Sequence, residues 1–439
     1  MITKFLGHVF SSRIFKARQP KIIPFSAHGV ARERVSRCAL TVTQTLQRHG
    51  FAAFVVGGAV RDLLLGREPK DYDVATDATP EEVRQIFRRS RIIGRRFRIV
   101  HVMCGPETVE VSTFRGGDAG EDDEARKSDE HGRILRDNVF GNQEQDATRR
   151  DFTLNALFYD PASQEIWDYH DGVTDLRKRR LRMIGDPEKR YREDPVRLLR
   201  VVRFAVKLGF RIDPATEAPI RGFTELLRKI PPARLFEETL KLFLGGYALQ
   251  TFEQLRRYDL FAELFPQTEE VLSQEEGGFP HMLLVHALQD TDNRLLAGKP
   301  VTPGYLVAAL LWMPMQAICR EHVSNGMSEM EAMHFASDVV ISRQIASIAL
   351  PRQFTKTARE IWQLQLRLRK VQGKYPLRLL EHPRFRAAYD FLLLRAKAGE
   401  NVHELADWWT AFQQDHPAQV EQHRKTPAAV RGRRRKRRR

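Results

Sequence analysis

Cysteine is scarce in this 439-residue chain: Cys38, Cys104 and Cys319 are the only three, and no CxxC pair occurs. That spacing excludes a zinc ribbon, and it predicts neither a disulfide framework nor a metal site, as expected of a reducing compartment. Long apolar runs are missing too. No stretch of about 18 apolar residues occurs, so no membrane-spanning helix is expected. Acidic residues are in deficit, 56 against 72 Lys and Arg, for a net charge of +16. The first 30 residues hold no Asp or Glu but carry Lys4, Arg13, Lys16, Arg18 and Lys21. Residues 1–32 therefore read as a basic, disordered arm, although a transit peptide has the same composition. At the other end, Arg431, Arg433, Arg434, Arg435, Lys436, Arg437, Arg438 and Arg439 surround a single glycine. Such a block cannot bury itself and predicts a disordered basic tail over 421–439, suited to a polyanion or to targeting.

What is present is enough apolar residue, 42%, to fold most of the chain into two to four domains. Residues 33–49 read as a helix stopped by Gly50, and Phe51 to Val56 as a buried strand. Gly57-Gly58 breaks that strand before a short helix, Ala59 to Leu65. A second strand is expected at 71–76. Thr79-Pro80 is a cap followed by a first-turn proline, opening a helix to about Arg89. Strands follow near 98–103 and 108–114, then a polar loop over 116–136. A helix is expected over 147–157, with a hairpin to 168 and a short strand at 181–184. After Pro195 helical periodicity dominates to about residue 413.

Asp71-Tyr72-Asp73 falls on the second predicted strand, where side chains at i and i+2 share a face. Two carboxylates aimed at one point suit Mg²⁺, which takes hard oxygen ligands and leaves the rest of its shell to water and phosphate. Alone, such a pair is more often a solvated strand end. Upstream, Gly57 and Gly58 allow backbone to approach a phosphate, or simply make a tight turn. Arg61 lies in the first turn beyond them, within reach of phosphate oxygens, and Asp62 is placed to partner a nearby base. Glu110 interrupts an apolar strand. It is either a third acid near the metal or a solvent-facing carboxylate.

The string FVVGGAVRDLLLGREPKDYDVAT, residues 54–76, resembles the signature of the class II nucleotidyltransferases, the poly(A) polymerase and CCA-adding enzyme family. Its glycine pair, Arg-Asp, Leu-Leu-Gly and Asp-x-Asp keep that order and spacing. Arg149 to Leu157, RRDFTLNAL, is similar to a second family motif. The resemblance implies that Asp151 faces the ribose of an incoming nucleotide and that Arg149 or Arg150 faces its triphosphate. Glu193 to Phe204 resembles the nucleotide-selecting segment, which implies base contacts from Asp194 and Arg197. Asp194 before Pro195 also reads as a helix cap. Arg197, Arg200, Arg203 and Lys207 fall within about 120° of one helix face, either a phosphate-contacting stripe or a solvated one. Ile92 to Val102 is similar to the signature separating bacterial poly(A) polymerases from CCA-adding relatives, and its Arg95 and Arg96 are placed to contact RNA phosphates. His170-Asp171 is the only His-Asp pair in the chain, and no histidine cluster surrounds it, so an HD-type hydrolase site is not expected.

The expected architecture is an α/β nucleotidyltransferase head (a mixed sheet with helices) followed by an all-α neck and body. Its expected bounds are a head over 33–185, a neck over 186–260 and an RNA-binding body over 261–420. The activity the resemblance implies is template-independent addition of AMP from ATP to RNA 3′ ends, with Asp71 and Asp73 holding one or two Mg²⁺ ions and Glu110 as a further candidate ligand. It also implies a cytoplasmic protein of the bacterial type. RNA-decay proteins are candidate partners, and the oligomeric state is open, with a monomer favoured. Two alternatives stay open: a CCA-adding enzyme acting on tRNA, and an RNA-binding protein that has kept the fold but lost catalysis.

Overall fold

The computed structural model describes residues 19–94, 98–116, 126–128, 134–137, 140–274 and 279–417. The chain divides into two compact units. One comprises residues 1–194 with 210–218, the other residues 195–209 with 219–439. The segment expected to form a neck, 186–260, contributes to both.

The first unit opens with β1 (Lys21–Ile23) and α1 (Phe25–His28), followed by a 3₁₀ turn at Arg32–Arg34. The expected disordered arm is therefore corrected over residues 19–32. Lys21, Ile22 and Ile23 pair with the strand Glu165–Asp168, and buried Ile23 gives that pairing an apolar anchor. Residues 1–18 lie outside the described residues. Next come α2 (Arg37–Arg48), β2 (Ala53–Val56), α3 (Gly58–Leu64), β3 (Asp73–Thr76), α4 (Pro80–Ile86), β4 (Ser90–Ile93), β5 (Ile99–Cys104) and β6 (Glu107–Thr113). The region read as a polar loop contains two paired strands, β7 (Arg126–Ser128) and β8 (Ile134–Asp137). The unit continues with α5 (Gln143–Arg149), β9 (Leu157–Asp160), β10 (Glu165–Asp168), α6 (Gly172–Arg177), β11 (Arg180–Leu181) and α7 (Pro187–Glu193).

Eight strands make one mixed sheet in the order β1-β10-β9-β2-β3-β6-β5-β4, with β3 and β6 parallel and the other neighbours antiparallel. On one face α2 packs its apolar stripe, with Val42 and Leu46 fully buried. On the other lies an aromatic cluster of Phe54, Phe114, Phe158 and Tyr169, with Trp167 at its rim. The Phe54 and Phe158 rings meet edge to face at 6.2 Å, an arrangement worth about 1 kcal/mol beyond area burial. Burial on both faces explains why β2 reads as the unbroken apolar run Ala-Phe-Val-Val.

Cys38 on α2 and Cys104 at the end of β5 form a disulfide, with Cα atoms 5.8 Å apart. This corrects the expectation that no disulfide forms. The two residues are 66 apart in sequence, and only the packing of α2 on the sheet brings them together. The cysteine pattern thus gives no ground for a reducing compartment. Cys319 is free and buried.

The second unit is helical. It contains α8 (Val196–Leu208), while β12 (Arg211–Ile212) and α9 (Pro214–Glu217) return to the first unit, where β12 pairs with β11. From α10 (Pro232–Phe243) to α21 (His403–Asp415) every described element is a helix. Trp312, Trp362, Trp409 and Phe391 are fully buried among these helices. Among the described residues no helix is long and apolar enough to cross a membrane.

Candidate active site

The site grows from the turn between β2 and α3. Gly57 has φ +73°, a conformation that L side chains rarely adopt. A Cβ there would meet Nη1 of Arg150 at 3.3 Å and Oδ2 of Asp73 at 3.9 Å. The glycine therefore marks where the β2–α3 turn, Asp73 and Arg150 crowd together. Its N–H donates to the Leu157 carbonyl at 3.2 Å, so Gly57 shapes the turn and does not offer that N–H to a ligand. Gly58 begins α3.

Asp73 is the first residue of β3, and Asp71 lies just before the strand, so the expected strand 71–76 is shortened to 73–76. Buried Tyr72 between them donates from its hydroxyl to the Arg34 carbonyl at 3.1 Å, which fixes the turn that carries both acids. Asp71 is exposed and Asp73 half-buried. Burial, then the Glu110 charge and to a lesser degree that of Asp71, together push the Asp73 carboxyl up to about 6, with Arg150 opposing the rise. Negative charges thus crowd this point, with one guanidinium as partial compensation.

Glu110 is paired in register with Asp73 across β3–β6 and with His101 across β6–β5. Its carboxylate is half-exposed and faces His101, with Oε1 3.2 Å from Nε2. Among the described residues no three His, Cys, Asp or Glu side chains converge as a closed metal centre does. Two carboxylates are nonetheless the usual protein share of a Mg²⁺ site, since substrate phosphates and water complete the octahedron.

Arg61 departs from expectation. It is 3% exposed, its Nη1 donates to Asn155 Oδ1 at 2.8 Å, and its Nε donates to Asp62 Oδ1 at 2.8 Å. The arginine expected at a phosphate braces α3 against the Arg149–Leu157 segment, with Asp62 as its partner. Asn155 passes the restraint on, because its Nδ2 donates to Asp151 Oδ1 at 3.1 Å, which also accepts from the Phe152 N–H at 2.8 Å.

That segment was expected to be helical over 147–157. Instead α5 starts at an Asn142/Gln145 capping box and ends at Arg149, and Arg150 turns extended with ψ 163°. Arg150 grips Asp146, one turn back, through Nε and Nη2 at 3.1 and 2.8 Å. Beyond the helix end Thr153 donates to fully buried Asp175 at 2.7 Å, and Asp175 also accepts from Arg180 and Arg182, which ties the irregular backbone to α6 and β11. The approach of α6 is close: a Cβ on Gly172 would stand 2.2 Å from the Thr153 carbonyl oxygen. Arg149 donates to the Gly116 carbonyl at 2.6 Å.

Asp194 closes α7, and Pro195 rather than Asp194 occupies the cap position of α8, so the expected Asp194 cap is corrected. Of the expected stripe, Arg197 is buried, and Arg200, Arg203 and Lys207 are half-buried. Arg200 and Arg203 lie over the Phe204 ring at 5.4 and 4.6 Å. The stripe is therefore not a freely solvated face. Arg95, Arg96 and the tail cations Arg431, Arg433, Arg434, Arg435, Lys436, Arg437, Arg438 and Arg439 lie outside the described residues. Composition and spacing alone gave no sign of Asp146, Thr153, Asn155, Asp175 or His101, although Thr153 and Asn155 stand inside the RRDFTLNAL motif.

A carboxylate pair beside a glycine turn and an arginine, on a mixed sheet followed by helices, defines a nucleotidyltransferase. The families described as "Poly A polymerase head domain", "Probable RNA and SrmB-binding site of polymerase A" and "Polymerase A arginine-rich C-terminus" match residues 53–182, 209–272 and 325–439. Poly(A) polymerase I of Salmonella typhi is 46% identical over 404 residues, 90% of this chain and 86% of that one. Poly(A) polymerase I of Haemophilus influenzae is 44% identical over 423 residues, 94% and 90% of the two chains. The chain belongs to the poly(A) polymerase family. Among solved structures, the Bacillus stearothermophilus CCA-adding enzyme in complex with CTP superposes with a TM-score of 0.56 at 26% identity, covering 88% of this chain and 83% of that one. The CCA-adding enzyme of Lactobacillus helveticus is 42% identical, but over 215 residues, 49% of this chain and 52% of its own.

Proposed function

We propose that this chain adds AMP from ATP to RNA 3′ ends without a template, and that Asp71 and Asp73 hold the Mg²⁺ the reaction needs. The observation that carries the metal assignment is the gathering of acids at the start of β3, where Asp73 has Asp71 two residues before it and Glu110 paired with it on β6, beside the Gly57 turn and Arg150. The donor set is hard oxygen, as Mg²⁺ prefers. When bound, the cation neutralises charge on the triphosphate and lowers the pKa of the attacking hydroxyl.

The chain's own residues do the rest. The RNA 3′-oxygen forms a bond to the α-phosphorus of ATP as the bond to the β-phosphate oxygen breaks. Pyrophosphate leaves, and the hydroxyl proton passes to water. Arg150, held by Asp146 beside Gly57 and Asp73, is placed to bind triphosphate oxygens, a role guanidinium suits. Arg149 is a second candidate for them. Asp151, held by Asn155, accepts a hydrogen bond from the ribose 2′-OH. Asp194 and Arg197 read the base edge. Positioning of this kind supplies much of the rate in phosphoryl transfer. Identity over most of the length of poly(A) polymerases, against half-chain identity to a CCA-adding enzyme, favours AMP addition over CCA addition. A cytoplasmic location belongs to the same reading.

Asp73→Ala tests the catalytic assignment. We expect AMP addition to fall at least a thousandfold, with oligo(A) binding within about twofold of wild type. A variant that retains activity removes Asp73 from the metal site.

A further inference from the structure

The backbone that carries the triphosphate and ribose contacts runs beyond any regular element: α5 ends at Arg149 and Arg150 turns extended. A second stretch of chain in the same unit, 182–190, holds it in place. The Ile184 N–H donates to the Asp151 carbonyl and the Thr153 N–H to the Arg182 carbonyl, each at 3.0 Å. Phe152 forms a bridge with Met183 between them. Nη2 of Arg190, on α7, then donates to the Arg149 carbonyl at 2.6 Å and to the Arg150 carbonyl at 2.5 Å. The carbonyls of Arg149, Arg150 and Asp151 are therefore all held from residues 184 and 190.

Arg190 is the one side chain in this set. The two hydrogens on its Nη2 serve two successive carbonyls, and its charge makes each bond stronger than one between neutral groups. Nη1 donates to Glu193 Oε2 at 2.9 Å, and the side chain is 11% exposed. The Arg190 carbonyl in turn accepts from the Asp194 N–H at 3.2 Å. One residue thus touches both ends of the nucleotide site: its side chain holds the Arg149–Asp151 backbone, and its main chain holds the residue assigned to the base edge. The bland alternative is a cap for the carbonyl end of α5. A cap accounts for the two carbonyls but not for the link to Glu193 and Asp194, and its loss would lower stability without changing which nucleotide is chosen.

We propose that Arg190 is a positioning residue for nucleotide selection. It ties the Arg149–Asp151 backbone to the end of α7, so that the groups meeting the triphosphate and ribose keep a fixed register with Asp194 at the base. A base that does not suit Asp194 then draws the α-phosphate out of line, which converts a base contact into a difference in rate. The inference rests on the nucleotide-site reading above.

The test is single-nucleotide addition to oligo(A) with Mg²⁺, using ATP or CTP, for the full chain as wild type, Arg190→Lys, Arg190→Gln and Arg150→Ala. Comparing kcat/KM for the two nucleotides within one preparation cancels any loss of folded protein. We expect Arg190→Gln to lower kcat/KM for ATP roughly a hundredfold, the scale of a misplacement of about 1 Å. The preference for ATP over CTP should fall about tenfold, with KM for oligo(A) unchanged. Arg190→Lys keeps the charge but not the planar fork, and should fall between wild type and Arg190→Gln in both respects. A wild-type preference for ATP in both Arg190 variants overturns the proposal, whatever the loss of rate, and leaves Arg190 a cap. If Arg150→Ala matches wild type in kcat and in KM for ATP, the nucleotide-site reading itself falls.

Discussion

Arg61 on α3 and Asn155 in the Arg149–Leu157 segment meet side chain to side chain at 2.8 Å, in a place where the arginine is 3% exposed. This contact joins the two most recognisable motifs of the chain. It makes the arginine of the Gly-Gly-x-x-Arg-Asp string a brace for the segment that carries Asp151.

Arg61→Ala leaves Asn155 and Asp62 without their shared partner inside the fold. Breaking a buried charged pair costs about 3–5 kcal/mol, and we expect the lower end because Asp62 is partly exposed. Urea unfolding checks the stability, and steady-state kinetics should show kcat falling more than KM for ATP rises. A large rise in KM with unchanged stability would return Arg61 to the phosphates.

The raised Asp73 carboxyl makes a signed prediction about pH. Between about pH 4 and 6 the native state holds a proton that the unfolded chain has released. The stabilisation from this group is therefore fully present below pH 4 and is lost as pH rises through 6. Asp73→Asn removes that dependence and should stabilise the metal-free protein by up to about 3 kcal/mol at pH 7. Thermal melts across pH 4–8 without divalent metal measure it. In the wild type, Mg²⁺ competes with the proton, so the rate should fall below about pH 6.

The Cys38–Cys104 bond closes a loop of 66 residues, and chain entropy gives a cross-link of that span about 4 kcal/mol. Thiol titration of the denatured, unreduced protein should find one thiol, that of Cys319. Reduction or Cys104→Ser should lower the urea midpoint accordingly. Three titrating thiols would mean the bond does not form.

Removing Arg431–Arg439 deletes eight cations. If they contact RNA phosphates, the slope of log affinity against log salt becomes shallower by up to about 6 units, at roughly 0.7 per phosphate neutralised on a single strand. Equal slopes for the full and shortened chains would refute a role for the tail.

The sequence made some of this structure legible and hid the rest for physical reasons. Local chemistry marked the Gly57 turn, the Thr79-Pro80 helix start and the all-helical second unit, because caps, glycines and periodicity are short-range signals. The end of α5 was not legible. Beyond it Thr153 is tied to Asp175, 22 residues away, and the RRDFTLNAL string is too short to show its own period. Residues 19–32 read as an arm because low acid content masks three residues that pair with a strand 143 positions on. The acids Asp71 and Asp73 were visible as a pair. The Glu110–His101 contact beside them depends on strand register, which spacing alone does not encode.

The choice of nucleotide and RNA is what separates poly(A) synthesis from CCA addition. The measurement is incorporation from single labelled nucleoside triphosphates, with Mg²⁺, onto oligo(A) and onto a tRNA lacking its CCA end. We expect long ladders on oligo(A) with ATP alone and no requirement for CTP. Addition of C, C and A to the tRNA that stops after three nucleotides, with no ladder on oligo(A), would contradict it.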